Sequence, residues 1–181
     1  GEQPPARVAA AMTVPLLLSW SGGKDATLAL DRLRGDGRYR VAGLLAGIGA
    51  DDECVTLHGV PRALIELQAQ AIGLPLVLVR IARGADNAAY GAAMAAALDE
   101  ARHAEPDLRT VAFGDLFLAD VRAWRERQLG RAGWDALFPL WAEPTPALAR
   151  EFVERGFRAV LCCVDTQQLD AAFCGRDYDA A

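Results

Sequence analysis

Residues 15–19, PLLLS, form an apolar run too short for a helix, and the glycine turn SGGKD follows at 21–25, one residue later. A brief apolar run ending in small polar residues marks a buried strand. A glycine turn that leads from such a strand into a helical stretch is the opening of a βα unit, and βα units stack into an open parallel sheet. The rest of the chain repeats the theme.

The first helix is expected over 26–34, stopped by Gly35-Asp36-Gly37. VAGLLAGI at 41–48 reads as a second strand, ending at Gly47 and Gly49. Pro61 opens a helix through Leu64, Ile65, Gln68 and Ile72, and Gly73 and Pro75 close it. PLVLVRI at 75–81 is a third strand, and the alanine-rich stretch 87–103 a long helix. RTVAF at 109–113 is a fourth strand, running into Gly114 and Asp115, with a helix over 119–129. Residues 134–146 read as an irregular connector, with Thr145 as N-cap and Pro146 as the first residue of a helix that ends at Gly156. RAVLCCV at 158–164 is expected as the fifth strand, and the tail after Asp165 as loop.

The fold class that follows is α/β: a Rossmann-like (HUP-type), doubly wound, mainly parallel five-stranded sheet with helices on both faces. Ligands of such sheets sit beyond the carboxyl ends of the strands. Those ends are 19–23, 47–51, 81–83, 114–115 and Asp165. At 181 residues the chain suits one domain, read as 14–181 behind a flexible lead-in at 1–13. Met12 is an alternative start within that lead-in.

Charge and cysteine use narrow the function. A net charge of −5 argues against broad phosphate-backbone binding, so nucleic acid is not the expected partner. Cys54, Cys162, Cys163 and Cys174 contain no C-x-x-C pair and fit a reducing cytoplasm. No stretch approaches the ~20 apolar residues of a membrane span, and the lead-in lacks an apolar signal core.

The glycine loop carries the chemistry. Gly22 and Gly23 let a ligand approach the backbone, and the first amides of the helix favour an anion. Ser19 and Ser21 add hydroxyl donors. Lys24 is the sole lysine beside eighteen arginines. It supplies a compact point charge that a forked guanidinium does not reproduce. Asp25 is read either as a helix cap or as a Mg²⁺ ligand beside phosphates. A Walker A loop is excluded, because position 18 is leucine and Asp25 follows the lysine. The G-x-G-x-x-G fingerprint is absent as well.

The blocks SWSGGKDATLAL, LHGVPRALIELQAQAIGLPL, VAFGDLFLADVRAWRE, LFPLW and FRAVLCCVDTQQLDAAFCGRDYD resemble, in order and spacing, the diphthine–ammonia ligase family of the ATP-pyrophosphatase (PP-loop, adenine nucleotide alpha hydrolase-like) superfamily. The resemblance implies ATP and Mg²⁺ as cofactors and cleavage of ATP to AMP and pyrophosphate. It implies adenylation of a carboxylate acceptor, the diphthine of elongation factor 2, and displacement of AMP by ammonia. By position, Ser21, Gly22, Gly23, Lys24 and Asp25 would hold the pyrophosphate portion, and backbone groups from Leu45 to Gly47 would line the adenine side.

Two departures stand out. Ala26 occupies a place where the family carries Ser or Thr, with Thr27 as the substitute hydroxyl. The given sequence also ends at Ala181 without the family's acidic E-N-G-E-F-H-T-like segment. The alternative reading is therefore a nucleotide-binding module or sensor without turnover. The lack of cysteine pairs counts against the sulfur-transferring relatives.

Outside the loop, Asp115 is a candidate metal ligand or orienter of a nucleophile, or else a helix N-cap. His58 is a candidate donor or proton shuttle, or else a loop histidine that packs locally. Arg62 is read as a phosphate or carboxylate partner or a solvated surface charge, and Asp120 and Arg122 as surface charges. Trp124, Trp134, Phe138 and Trp141 are core residues, a lid or a homodimer contact. Cys162 and Cys163 are expected as inert small hydrophobes, and Cys174 as the accessible thiol.

Overall fold

A computed structural model describes residues 13–56 and 58–179. The expected lead-in, apart from Thr13, and Met12 lie outside the described residues. The elements are β1 (Val14–Ser19), α1 (Lys24–Gly35), β2 (Tyr39–Gly49), α2 (Arg62–Ile72), β3 (Leu76–Ile81), α3 (Asn87–Ala104), β4 (Thr110–Ala112), α4 (Ala119–Arg131), β5 (Asp135–Leu137), α5 (Thr145–Glu154) and a 3₁₀ turn at Ala171–Phe173.

All five strands are parallel, in the order β3-β2-β1-β4-β5. The α/β doubly wound architecture read from the sequence is the one observed. Alternation along the strands divides the core into two. Leu16, Leu18, Leu44, Ala46 and Ile48 face α1, α2 and α5, packing on Leu28, Ile65, Leu148 and Phe152. Leu17, Leu45, Val79 and Ile81 face α3 and α4, packing on Leu98, Ala101 and Leu129. β1 to β4 therefore contribute to both sides of the core, which is why they read as continuous apolar runs.

The fifth strand is not where hydrophobicity puts it. Residues 158–164 stay outside the sheet, and Val160 makes only an isolated antiparallel bridge to Asp177. The short run Asp135–Leu137, inside the expected irregular connector, pairs with β4 instead. Three residues with an exposed aspartate at their head carry too little periodicity to read as a strand. A consequence is that Asp165 closes no strand and is exposed. Cys162 and Cys163 are exposed too, not buried as strand residues would be.

The α5 cap also differs by one residue. Pro144 is the N-cap, Thr145 is already helical, and Pro146 falls in the first turn, where its missing N–H costs nothing. Among the described residues no helix is long and apolar enough to cross a membrane.

Candidate functional site

β1 lies between β2 and β4, and the chain winds outwards from it in both directions. The switch point of the doubly wound sheet is thus the crevice beyond the carboxyl ends of β1 and β4. Residues 19–25 fill one lip of that crevice and Gly114-Asp115 the other.

The loop is held by specific contacts. Trp20, 3% exposed, continues the β1 pairing, its N–H donating to the Leu45 carbonyl at 2.9 Å. Its indole Nε1–H donates to Gln68 Oε1 of α2 at 2.9 Å, and Gln68 Nε2 donates to the Gly22 carbonyl at 3.2 Å. Gly22 has φ +80°, and a Cβ there would lie 2.8 Å from both Gln68 Oε1 and Ile65 Cδ1. Only glycine fits this position, for both reasons. Gly23 is the N-cap of α1, so the helix opens directly on the loop with no side-chain cap. The amides of Gly23, Lys24 and Asp25 donate to no described group, leaving the helix start open to an anion.

Lys24 Nζ lies 2.6 Å from Asp25 Oδ1, with both side chains partly exposed. Asp25 is therefore an ion-pair partner and not the cap of α1, which settles between the two roles read from the sequence only by removing the cap. Thr27 turns its hydroxyl back to the Gly23 carbonyl at 3.0 Å, and Ala26 is buried at 4% exposure against the core. Neither residue directs a hydroxyl outwards. Ser19 and Ser21 are half-buried at the strand end and in the loop.

Gly114 closes the other lip. A Cβ at 114 would meet the Asp25 carbonyl carbon at 3.0 Å and the Ala26 amide nitrogen at 3.1 Å. Asp115 follows and is engaged by Arg125 of α4, with Nε 2.7 Å from Oδ2 and Nη2 donating to Oδ1 at 3.4 Å. The shorter contact is an ion pair off the N–H axis, since neither of its atoms makes a well-directed hydrogen bond. Arg125 also stacks on Phe113, 4.2 Å from its ring centroid. Burial raises the Tyr90 phenol above its ordinary range, an effect partly offset by the Arg125 guanidinium.

Beyond β2 and β3 a cleft of about 430 Å³ opens, lined among others by Gly49, Asp51, Asp52, Thr56, Arg83 and Tyr90. This is within the size range of small-ligand sites. The carbonyls of Leu45 and Gly47, read as the adenine wall, accept from Trp20 N–H and from Thr56 N–H at 3.0 Å. A second cavity, between α3 and α4, holds only about 30 Å³, room for a water or two.

The remaining candidates separate from the loop. His58 is exposed in the turn before α2, and its ring makes no hydrogen bond or ion pair among the described residues. Arg62 is taken up by Glu53 at 2.8 Å and Glu66 at 2.7 Å. Trp134 and Phe138 are buried core, Phe138 stacking on Phe113 at 5.6 Å, and Arg122 lies over Phe138 and Trp141. Asp120 is exposed. Gln68 and Trp20 are the contacts sequence reasoning missed; the usable signal was a buried indole, which normally finds an acceptor.

A family model described as the diphthamide synthase N-terminal domain matches residues 13–135, more than half of the chain. The match spans the glycine loop, the β2/β3 cleft and the Gly114-Asp115 lip. No curated protein matches. Among solved structures, the chain is similar to a protein from the universal stress protein family from Burkholderia pseudomallei. The identity is 20%, over 72% of this chain and 98% of that one, with a TM-score of 0.37.

Proposed function

Since the chain belongs to the diphthamide synthase N-terminal domain family, a PP-loop family that uses ATP, we propose that it splits ATP between the α and β phosphates to activate a carboxylate. A carboxylate oxygen of the acceptor attacks the α-phosphorus, and the bond from that phosphorus to the pyrophosphate oxygen breaks. The acyl-adenylate then loses AMP to ammonia, leaving an amide. The acceptor implied by the family is the diphthine of elongation factor 2.

The observation that carries this reading is the loop at the β1/β4 switch point. Free amides of Gly23, Lys24 and Asp25 and the sole lysine of the chain converge there. Fixed donors facing developing negative charge need no reorganisation as the pyrophosphate departs. Lys24 would exchange Asp25 for a phosphate oxygen, and Ser21 would add a hydroxyl donor. The β2/β3 cleft is sized for the nucleoside, with Asp51 and Asp52 available to ribose hydroxyls. Asp115, locked by Arg125, acts as a positioning residue for the β4 end, and His58 lies on the side open to solvent.

Mg²⁺ fits as an ion carried on the nucleotide. It needs one or two carboxylates plus phosphate oxygens. Among the described residues no group of three or more His, Cys, Asp or Glu is arranged to hold a metal by itself. Asp25 would hold the ion, which would neutralise charge on the phosphates.

A second reading, nucleotide binding without turnover, is favoured by one observation: no outward hydroxyl is offered by Ala26 or Thr27 in the first turn. Incubation with ATP, Mg²⁺, ammonia and a panel of carboxylates, assayed separately for pyrophosphate and phosphate, decides between them. AMP and pyrophosphate formed by the wild type and lost in Lys24→Ala support the enzyme. ATP binding with no turnover across the panel leaves the binding module.

A further inference from the structure

We propose that Gln68 is a positioning residue of the nucleotide loop, which aims the Gly23 amide at the bound phosphate by holding the Gly22 carbonyl. The inference rests on the reading of residues 19–25 as a polyphosphate site.

The orientation of the Gln68 carboxamide is fixed by its partners. An indole N–H only donates and a backbone carbonyl only accepts, so Oε1 must face Trp20 and Nε2 must face Gly22. Trp20 is itself anchored, buried and hydrogen-bonded through its backbone to Leu45. The carboxamide thus joins a rigid point at the carboxyl end of the central strand β1 to the crest of the loop.

The consequence lies in the next peptide bond. The peptide joining Gly22 and Gly23 is planar and trans, as no cis bond occurs among the described residues, so its C=O and N–H point in opposite directions. Drawing the Gly22 carbonyl towards α2 turns the Gly23 N–H away from α2. That N–H donates to no described group. Two glycines in succession leave this peptide with the freest rotation in the loop. Without Gln68 it would sample orientations that present a carbonyl oxygen to the phosphate.

The test uses the whole chain, with Mg·ATP and pyrophosphate as separate titrants and binding followed by calorimetry between about pH 4 and 8, each variant compared with wild type at the same pH. Gln68→Glu keeps the shape and the acceptor for Trp20, but as a carboxylate it repels the Gly22 carbonyl. When protonated it donates to that carbonyl again. Gln68→Leu removes both bonds without adding charge. Near-UV circular dichroism verifies the fold of each variant.

The expected result is binding about tenfold weaker for Gln68→Glu at pH 8, on the scale of one directed hydrogen bond, recovering towards wild type only as pH falls through the ordinary glutamate range to about 4. Gln68→Leu is expected to be weaker by a similar factor at every pH. In nitrogen-15 spectra of the ligand-free protein, the Gly23 amide should move in both variants at pH 8 and return only in Gln68→Glu at low pH. A wild-type-like Gln68→Leu would reduce the Gln68→Glu defect to charge repulsion and overturn the proposal. So would an unmoved Gly23 amide. Wild-type protein that binds neither titrant would instead sink the loop reading itself, whereas wild-type binding lost in Lys24→Ala and untouched in both Gln68 variants sinks only the role of Gln68.

Discussion

Gly114 and Asp25 are in backbone contact across the switch point: a Cβ on the former would stand 3.0 Å from the carbonyl carbon of the latter. The end of β4 and the first turn of α1 therefore share one surface. Anything added at 114 pushes on the helix start that carries the open amides. Because the obstructing atoms are backbone, no rotamer change can relieve the clash.

Gly114→Ala is thus expected to destabilise the fold by roughly 1–3 kcal/mol, the cost of overpacking a tight contact. It should also weaken ATP binding more than pure destabilisation predicts, since the displaced segment is the phosphate-facing one. Urea unfolding, paired with ATP titration under conditions where the variant is fully folded, separates the two effects. An alanine variant with unchanged affinity would place the phosphate away from the α1 amides.

The Arg125–Asp115 pair makes a separate prediction. Both side chains are about a fifth exposed, so solvent screens their attraction, and the geometry is one close contact plus one long hydrogen bond. Asp115→Asn is expected to cost about 1 kcal/mol in stability and to change ATP affinity by no more than about twofold. A double-mutant cycle with Arg125→Met should return a coupling of about 1 kcal/mol. Loss of turnover in Asp115→Asn at unchanged stability and affinity would make the carboxylate a catalytic residue instead of a positioning one.

Tyr90 gives the pH dependence. Burial raises its folded-state value above the ordinary 10.0, although Arg125 pulls the other way. A group whose value is raised on folding contributes stability that is complete below the unfolded value. That stability is lost as pH rises from the unfolded towards the folded value. Unfolding free energy should therefore decline above about pH 10, and Tyr90→Phe should flatten part of that decline. Urea titrations between pH 8 and 11, with tyrosinate absorbance followed in parallel, measure both. A Phe variant with the wild-type slope would show that Tyr90 ionises freely in the native state.

What the sequence disclosed and what it concealed follow the strength of local signals. β1 to β4 are buried on both faces, so their hydrophobicity is continuous and their positions readable. The SGGKD loop was legible because a lone lysine, two glycines and a helix start coincide within five residues. β5 was not, because three residues against an established edge need no apolar run of their own. Residues 158–164 misled for the converse reason: Val160 and Leu161 are apolar, yet their partners are Asp177 and Arg176 in a local ribbon. The Gln68 contacts, 46 and 48 residues away along the chain, leave no periodic trace at all.

That misplaced strand determines the thiol chemistry. Had residues 158–164 entered the sheet, Cys162 and Cys163 would be sealed and unreactive. Outside it, Cys162, Cys163 and Cys174 are all exposed, while Cys54 is only partly so. Its backbone also ties it into the β2–α2 connection, through a bridge to Pro61 and an N–H bond to Asp52 Oδ1 at 3.1 Å. Alkylation of the native protein with iodoacetamide, read by mass spectrometry of peptides over time, should label three thiols in a fast phase and Cys54 in a slower one. Partial denaturation should merge the phases, since exposure in the folded chain is what separates them. Slow labelling of Cys162 and Cys163 together, at the rate of Cys54, would return that segment to the core and with it the fifth strand expected from hydrophobicity alone.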